Sequence, residues 1–260
     1  MAATAYAQEI PVRVIAKMLG WPLEDAPIFR EFVHDVIESI DLPMEQRFEN
    51  FLKLEAYLRA QVEDHLANPR DDLTTYLLEA EMGGEPLNED HIGGTIILLL
   101  LAGIDTTWSA IGASLWHLAA TPADRERLVN EPELMPFAIE ELLRFYAPVT
   151  MARLVKDDFE FNGCPMKADE WVLLPFPAAN RDPDRYQDPD RFDITRTGTQ
   201  HLSFAAGIHY CLGAPLARLE GEVVFERLLA RFPTIDADTT PVWRPSLTLR
   251  GLETLQVTVR

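Results

Sequence analysis

The chain has 260 residues, 47% hydrophobic and 25% charged, a globular balance with material for one large core. A formal net charge of −19 argues against nucleic acid or an anionic membrane as the main partner. There is no cleavable signal-like start, two cysteines make no secreted disulfide framework, and the most apolar stretch, Ile92 to Ile104, falls short of the roughly 20 residues that span a bilayer, so a soluble, cytoplasmic protein is expected.

The first two thirds read mainly as helices. Residues 8–19 are periodic and stop at Gly20; Trp21-Pro22 breaks the chain and 23–40 resumes. Residues 44–67 predict a long amphipathic helix with Phe48, Phe51, Leu52, Leu54, Leu58 and Val62 apolar, and 71–82 a shorter one before Gly83-Gly84. Asn88, with Glu89 and Asp90 behind it, predicts an N-cap and an acidic first turn for a helix running to about Ala120. Thr121-Pro122 has the cap-then-proline order for the next helix, and 131–146 predicts another.

After Pro148 the pattern changes. Met151–Val155, Phe159–Phe161 and Trp171–Leu174 predict short strands, with Asn162-Gly163 a turn between two of them. Residues 177–210, rich in Asp, Pro and Arg, read as an ordered loop, and so long a loop in a compact domain is normally functional. Leu212, Leu216, Leu219, Val223 and Leu228 then mark a helix that ends near Phe232-Pro233. Leu247–Leu249 and Leu255–Val259 predict a hairpin around Gly251. One helix-dominated domain with a minor antiparallel sheet, residues 1–260, is the simplest organisation.

The most informative stretch is Phe204-Ala-Ala-Gly-Ile-His-Tyr-Cys-Leu-Gly213. Gly207 and Gly213 supply backbone freedom, and Cys211 lies at a helix start, where free N–H groups and the helix dipole favour a thiolate. That suits a metal ligand or a nucleophile. A nucleophile–base pair with His209, two residues away, is poorly supported, and no second Cys or His lies at zinc spacing. One thiolate without protein co-ligands fits a metal already held by another scaffold, such as haem iron. A lone cysteine is otherwise most often a small buried hydrophobe.

Two more constellations precede it. Ala102-Gly-Ile-Asp-Thr-Thr107 sets an acid and two hydroxyls in an apolar helix, where they are costly unless satisfied. Thr106 bonding back to the Ala102 carbonyl would satisfy one of them, and Gly103 leaves room for a ligand against the backbone. Glu141-Leu-Leu-Arg144 places opposite charges at i, i+3 on one face, a pairing that is weak evidence alone.

Together these residues resemble the cytochrome P450 family. Phe204, Gly207, His209, Cys211 and Gly213 reproduce its F-x-x-G-x-H/R-x-C-x-G pattern. Ala102–Thr107 matches the A/G-G-x-D/E-T-T segment of its helix I, and Glu141–Arg144 its helix K E-x-x-R. The resemblance runs from about Glu9 to Arg260, from the family's helix E onward, and implies its mainly α fold with haem b (iron protoporphyrin IX) as cofactor. It makes Cys211 the axial iron ligand and leaves Cys164 structural. It implies that Thr106 hydrogen-bonds dioxygen over the haem while Asp105 relays protons, with Ala102 and Gly103 forming the groove. Arg153 and His209 would meet the haem propionates. Glu141 and Arg144 would be buried and paired, and Arg191 of Pro189-Asp-Arg-Phe192 would complete their network. Arg181 would be structural.

The implied activity is a haem-thiolate monooxygenase that inserts one oxygen atom into an apolar organic substrate. Its electrons would come from ferredoxin and ferredoxin reductase, which a local basic patch on this acidic chain would dock. A peroxide-driven peroxygenase of the same fold is the alternative, as is a non-catalytic fragment acting as an interaction module. The family's N-terminal part, with its W-x-x-x-R segment, is expected to be missing, so that haem retention by this chain alone is open. Leu98, Leu99, Val149, Thr150 and Leu247 are candidate pocket residues.

Overall fold

A computed structural model describes residues 3–37, 43–198, 200–246 and 248–260. The expected continuation of the second helix beyond residue 37 and the candidate Leu247 lie outside the described residues. The chain groups into two compact units, Thr4–Trp108 and Ser109–Arg260.

The first unit is helical. Its elements are α1 (Glu9–Met18), α2 (Ala26–Ile37), α3 (Met44–Ala67), α4 (Leu73–Glu79), β1 (Glu81–Met82), β2 (Glu85–Pro86) and the first part of α5 (Glu89–Ala120). Val12, Ile15, Ala16 and Leu19 recur at i, i+3, i+4, i+7 and enter a core shared with Phe29, Leu54, Leu58, Ile96 and Leu100. Trp21, Phe29 and Tyr57 meet with ring centroids 5.3–5.5 Å apart. The cap expected at Asn88 is made, its Oδ1 accepting the His91 N–H at 2.9 Å.

Two expectations fail in this unit. On α3 only Leu54, Leu58 and His65 are buried, while Phe48, Phe51 and Leu52 are exposed. The helix expected to reach residue 82 ends at Glu79, because Ala80 is extended and Gly83 and Gly84 take positive φ, folding β1 onto β2. Helix α5 has the length and hydropathy of a membrane-crossing helix, and 56% of its most apolar window is buried within protein.

The second unit holds the end of α5, then α6 (Pro122–Asn130), α7 (Met135–Tyr146), β3 (Met151–Leu154), β4 (Phe159–Phe161), β5 (Cys164–Met166), β6 (Trp171–Leu174), α8 (Phe176–Ala179), α9 (Ala214–Arg231), β7 (Ile235–Ala237), β8 (Val242–Trp243), β9 (Leu252–Thr254) and β10 (Val257–Val259). The strands form antiparallel pairs, not one sheet. Asn162-Gly163 turns β4 directly into β5, and β6 pairs instead with β3, Met151 opposite Leu174. The expected C-terminal hairpin does not form, since β9 pairs with β8 and β10 with β7. Thr121 takes the N-cap position of α6 but makes no side-chain cap bond.

Helices α7 and α9 pack closely. A Cβ on Gly221 would lie 3.2 Å from Ile139 Cδ1, so glycine there permits the approach. The buried side of α9 is Ala214, Gly221, Val224, Phe225, Leu228 and Leu229, while the expected Leu219 and Val223 are exposed. That buried side also carries Glu220, 7% exposed, whose Oε2 has no hydrogen-bond partner. Burial pushes its carboxyl up to about 7 from the ordinary 4.5.

A raised carboxyl pKa means that the folded state holds the proton longer than the unfolded chain does. Stability is then full below about pH 4.5 and falls as pH rises to about 7. We expect Glu220→Gln to remove this decline, gaining about 3 kcal/mol on wild type between pH 4.5 and 8. Urea melts at both pH values check it; equal pH slopes for the two proteins would refute it.

Candidate functional site

The best-buried charge in the second unit is Arg144, on α7. Its Nε and Nη2 donate to Glu141 Oε2 and Oε1 at 2.7 and 2.8 Å, one turn away, and both side chains are wholly shielded from water. Arg144 Nη1 donates to the Asn180 and Pro189 carbonyls at 2.8 and 2.9 Å, and Nη2 to the Arg191 carbonyl at 3.3 Å. Glu141 Oε1 also accepts the Asp193 N–H at 2.9 Å and Arg196 Nε at 3.2 Å. The pair thus fastens the irregular stretch 180–196 to α7.

The expected third member is corrected here. The Arg191 side chain is 66% exposed and pairs with Asp193 at 3.0 Å, so Arg191 contributes only its carbonyl. Arg196, five residues on, supplies the second guanidinium. Irregular backbone separates it from α7, so no periodicity marks it. Asn180 was likewise missed: it is fully buried, its Oδ1 accepts the Leu202 N–H at 2.7 Å, and its Nδ2 donates to Ser203 Oγ at 2.9 Å. Arg181 is structural in its contacts, donating to the Phe145 carbonyl at 3.0 Å and lying 3.9 Å over the Phe145 ring.

Those bonds deliver the chain to the cysteine loop. Phe204 is buried and its carbonyl accepts the Cys211 N–H at 2.9 Å. Between them Ala205 (φ +57) and Gly207 (φ +62) take left-handed backbone, and Gly207–His209 forms a single 3-10 turn. The Cys211 carbonyl accepts the Ala214 N–H at 3.2 Å, where α9 begins. Gly213 has an ordinary φ of −81°, so backbone freedom is not its reason. A Cβ there would lie 3.9 Å from Cys211 Sγ, and glycine keeps that side of the sulfur open.

Cys211 is exposed and unpaired with Cys164. Its neighbours Ile208 and Leu212 are 98% and 92% exposed, two aliphatic side chains flanking a thiol. Leaving such groups in water costs about 1.5–3 kcal/mol each relative to burial. No group of three or more His, Cys, Asp or Glu suited to a metal occurs among the described residues. One soft ligand on an apolar platform fits a metal whose other donors come with a flat apolar group, as in haem. His209 is exposed; Arg153, on β3, donates to the adjacent Ala152 carbonyl at 2.8 Å.

In the first unit, Asp105 is fully buried on α5. Thr106 Oγ1 donates to the Ala102 carbonyl at 2.6 Å, the local bond anticipated from sequence. Ala102 is exposed. Gly103 has a different reason from the expected one: a Cβ there would stand 2.7 Å from Ile15 Cδ1, so it makes room for α1. Among the candidate pocket residues, Leu98 is exposed, and Leu99, Val149 and Thr150 are half-buried.

The network predicts two contrasting variants. Glu141→Gln leaves a buried, uncompensated guanidinium and should lower stability by about 3–5 kcal/mol. Arg191→Ala keeps the carbonyl and should cost no more than about 0.5 kcal/mol. Denaturant titration checks both, and the reverse order would show that the Arg191 side chain closes the network after all.

The cytochrome P450 family model matches residues 16–247. The polyketide biosynthesis cytochrome P450 PksS of Bacillus subtilis is 35% identical over 98% of this chain and 64% of its own length. The 6-deoxyerythronolide B hydroxylase of Saccharopolyspora erythraea is 36% identical over 97% of this chain and, again, 64% of its own. The solved structure of PksS superposes with a TM-score of 0.95 at 34% identity, covering 99% of this chain and 68% of that one. The chain thus spans just under two thirds of the length of these curated relatives. With the family model matching all but the two ends of the sequence, the chain belongs to the cytochrome P450 family.

Proposed function

We propose that residues 1–260 act as a haem-thiolate monooxygenase domain, cytoplasmic, that hydroxylates an apolar organic substrate with electrons from ferredoxin and ferredoxin reductase. The observation that carries this is the exposed Cys211 thiol, held at both ends of its loop and flanked by exposed Ile208 and Leu212. The hydroxylase and polyketide-biosynthesis names of the relatives support a natural-product substrate.

Haem would supply the oxygen chemistry. The chain's own residues bind and position it. Cys211 is the ligand, Phe204 packs beneath the loop with Gly207 and Gly213 shaping it, and Arg153 and His209 are the cations for the propionates, for which an arginine fork is well suited. Ala102, exposed on α5, is the residue for the groove, and Gly103 beside it serves the packing of Ile15. Asp105 and Thr106 move protons. The Thr106 hydroxyl proton is committed to the Ala102 carbonyl, so Oγ1 presents only acceptor capacity outward. To donate, it must rotate away from that carbonyl. An acid beside an alcohol favours dioxygen over peroxide as oxidant, since peroxide already carries its protons and electrons.

The deciding test is Cys211→Ser in a haem-loaded preparation. Its reduced carbon monoxide complex should lose the thiolate-type Soret band; persistence of the band would overturn the ligand assignment. Absence of the band in the unaltered chain would favour the non-catalytic module instead.

Thr106→Ala should leave that band intact. General acid–base groups contribute about 10²–10⁴-fold. We expect reducing equivalents still to be consumed, with more peroxide released and less hydroxylated product. Unchanged product per electron pair would reduce Thr106 to a residue that only satisfies its own helix.

A further inference from the structure

Glu140 stands immediately before the E-x-x-R pair and belongs to none of the contacts described so far. We infer that Glu140 is a positioning residue for the cysteine loop, acting through Arg218, which holds the carboxylate with one edge of its guanidinium and the Tyr210 hydroxyl with the other.

The geometry is specific. Arg218 Nε donates to Glu140 Oε1 at 2.5 Å and Nη2 to Oε2 at 3.1 Å, a two-pronged match of fork to carboxylate. Arg218 Nη1 donates to Tyr210 Oη at 3.1 Å. The guanidinium carbon stands 4.6 Å over the Phe204 ring, within cation–π range. His201 Nε2 lies 3.3 Å from Glu140 Oε2. One guanidinium therefore touches the residue whose carbonyl receives the Cys211 N–H and the residue next to Cys211 in sequence.

An ordinary surface ion pair contributes little, and both side chains here are partly exposed. Two observations separate this pair from that class. All three guanidinium nitrogens are engaged, two side by side on the Glu140 carboxylate and the third on the Tyr210 hydroxyl, which a lysine could not reproduce. The loop it grips contains Ala205 at φ +57, a left-handed conformation that a residue with a Cβ keeps only where its surroundings over-determine it. Burial raises the Glu140 carboxyl, but His201 and Arg218 outweigh this and hold it down at about 2, so it stays an anion at neutral pH.

The test uses the chain itself and reads amide exchange residue by residue by NMR. Arg218→Lys and Glu140→Gln should speed exchange of the Cys211 amide about tenfold or more, and Tyr210→Phe about threefold, while amides of α7 and of α9 beyond Glu220 stay within about twofold of wild type. If Arg218→Lys or Glu140→Gln does not fold, Tyr210→Phe decides alone. A Cys211 amide unchanged in every folded variant, or acceleration spread evenly over α7 and α9, would overturn the inference. Haem-loaded Glu140→Gln should also show part of its carbon monoxide band moved from the thiolate-type position at unchanged haem content. A band left wholly in place would confine the clamp to backbone order and overturn its role toward the ligand. The inference rests on the proposed haem-thiolate role only for that last reading. The exchange data need no haem, so a chain that loses local order yet never shows the band would sink the haem assignment and keep the clamp.

Discussion

Arg144 is the largest side chain in the described structure to be shielded completely from water, and it carries a charge. Isolated, such a cation would be prohibitively costly to bury. It is tolerated because Glu141 takes two of its five N–H groups and three backbone carbonyls, of Asn180, Pro189 and Arg191, take the other three. Those carbonyls come from chain with little regular structure of its own. The cation therefore does for 180–196 what a β-ladder does for a strand: it gives buried backbone acceptors their obligatory donors. Removing either charge would strand the other and free the whole segment.

That segment leads into the cysteine loop through Asn180, whose amide bonds Leu202 and Ser203, and Ser203 returns a bond to the Leu143 carbonyl of α7 at 2.7 Å. The route from α7 to Cys211 is therefore a chain of satisfied polar groups, not a hydrophobic contact. Glu140 and Glu141 are adjacent, and successive residues on a helix project about 100° apart. One helix turn thus serves two clients, the 180–196 stretch through Glu141 and the cysteine loop through Glu140. Rigid regular structure carries the charges, and irregular chain carries the exposed cysteine.

The sequence showed elements best where one local rule governed. Asn88 begins α5 because its side chain caps the third N–H, and Gly83-Gly84 stops the preceding segment, though as a hairpin turn and not as a helix end. Strand partners were not legible, because short strands of similar composition leave pairing to tertiary context: β6 joins β3, not β4. Apolar faces misled on α3 and α9, where Phe48, Phe51, Leu219 and Val223 read as core and lie exposed. The E-x-x-R pair was visible from its spacing, but Arg196 was not, since irregular backbone brings it to Glu141 over 55 residues. Arg191, which motif order had favoured, faces water.

Glycines show the same division between pattern and cause. Gly103, Gly207 and Gly213 all sit in family-like motifs, yet three different constraints keep them. Gly207 is needed for its left-handed backbone, with nothing near its absent side chain. Gly103 has helical backbone and is needed because Ile15 of α1 already fills the space a Cβ would take. Gly213 has neither constraint; it leaves open the face of the Cys211 sulfur. A motif records that glycine is required without recording whether conformation, packing or access requires it. Only the last of the three bears directly on a ligand approaching the thiol, and it belongs to the glycine whose own backbone and packing would have accepted alanine.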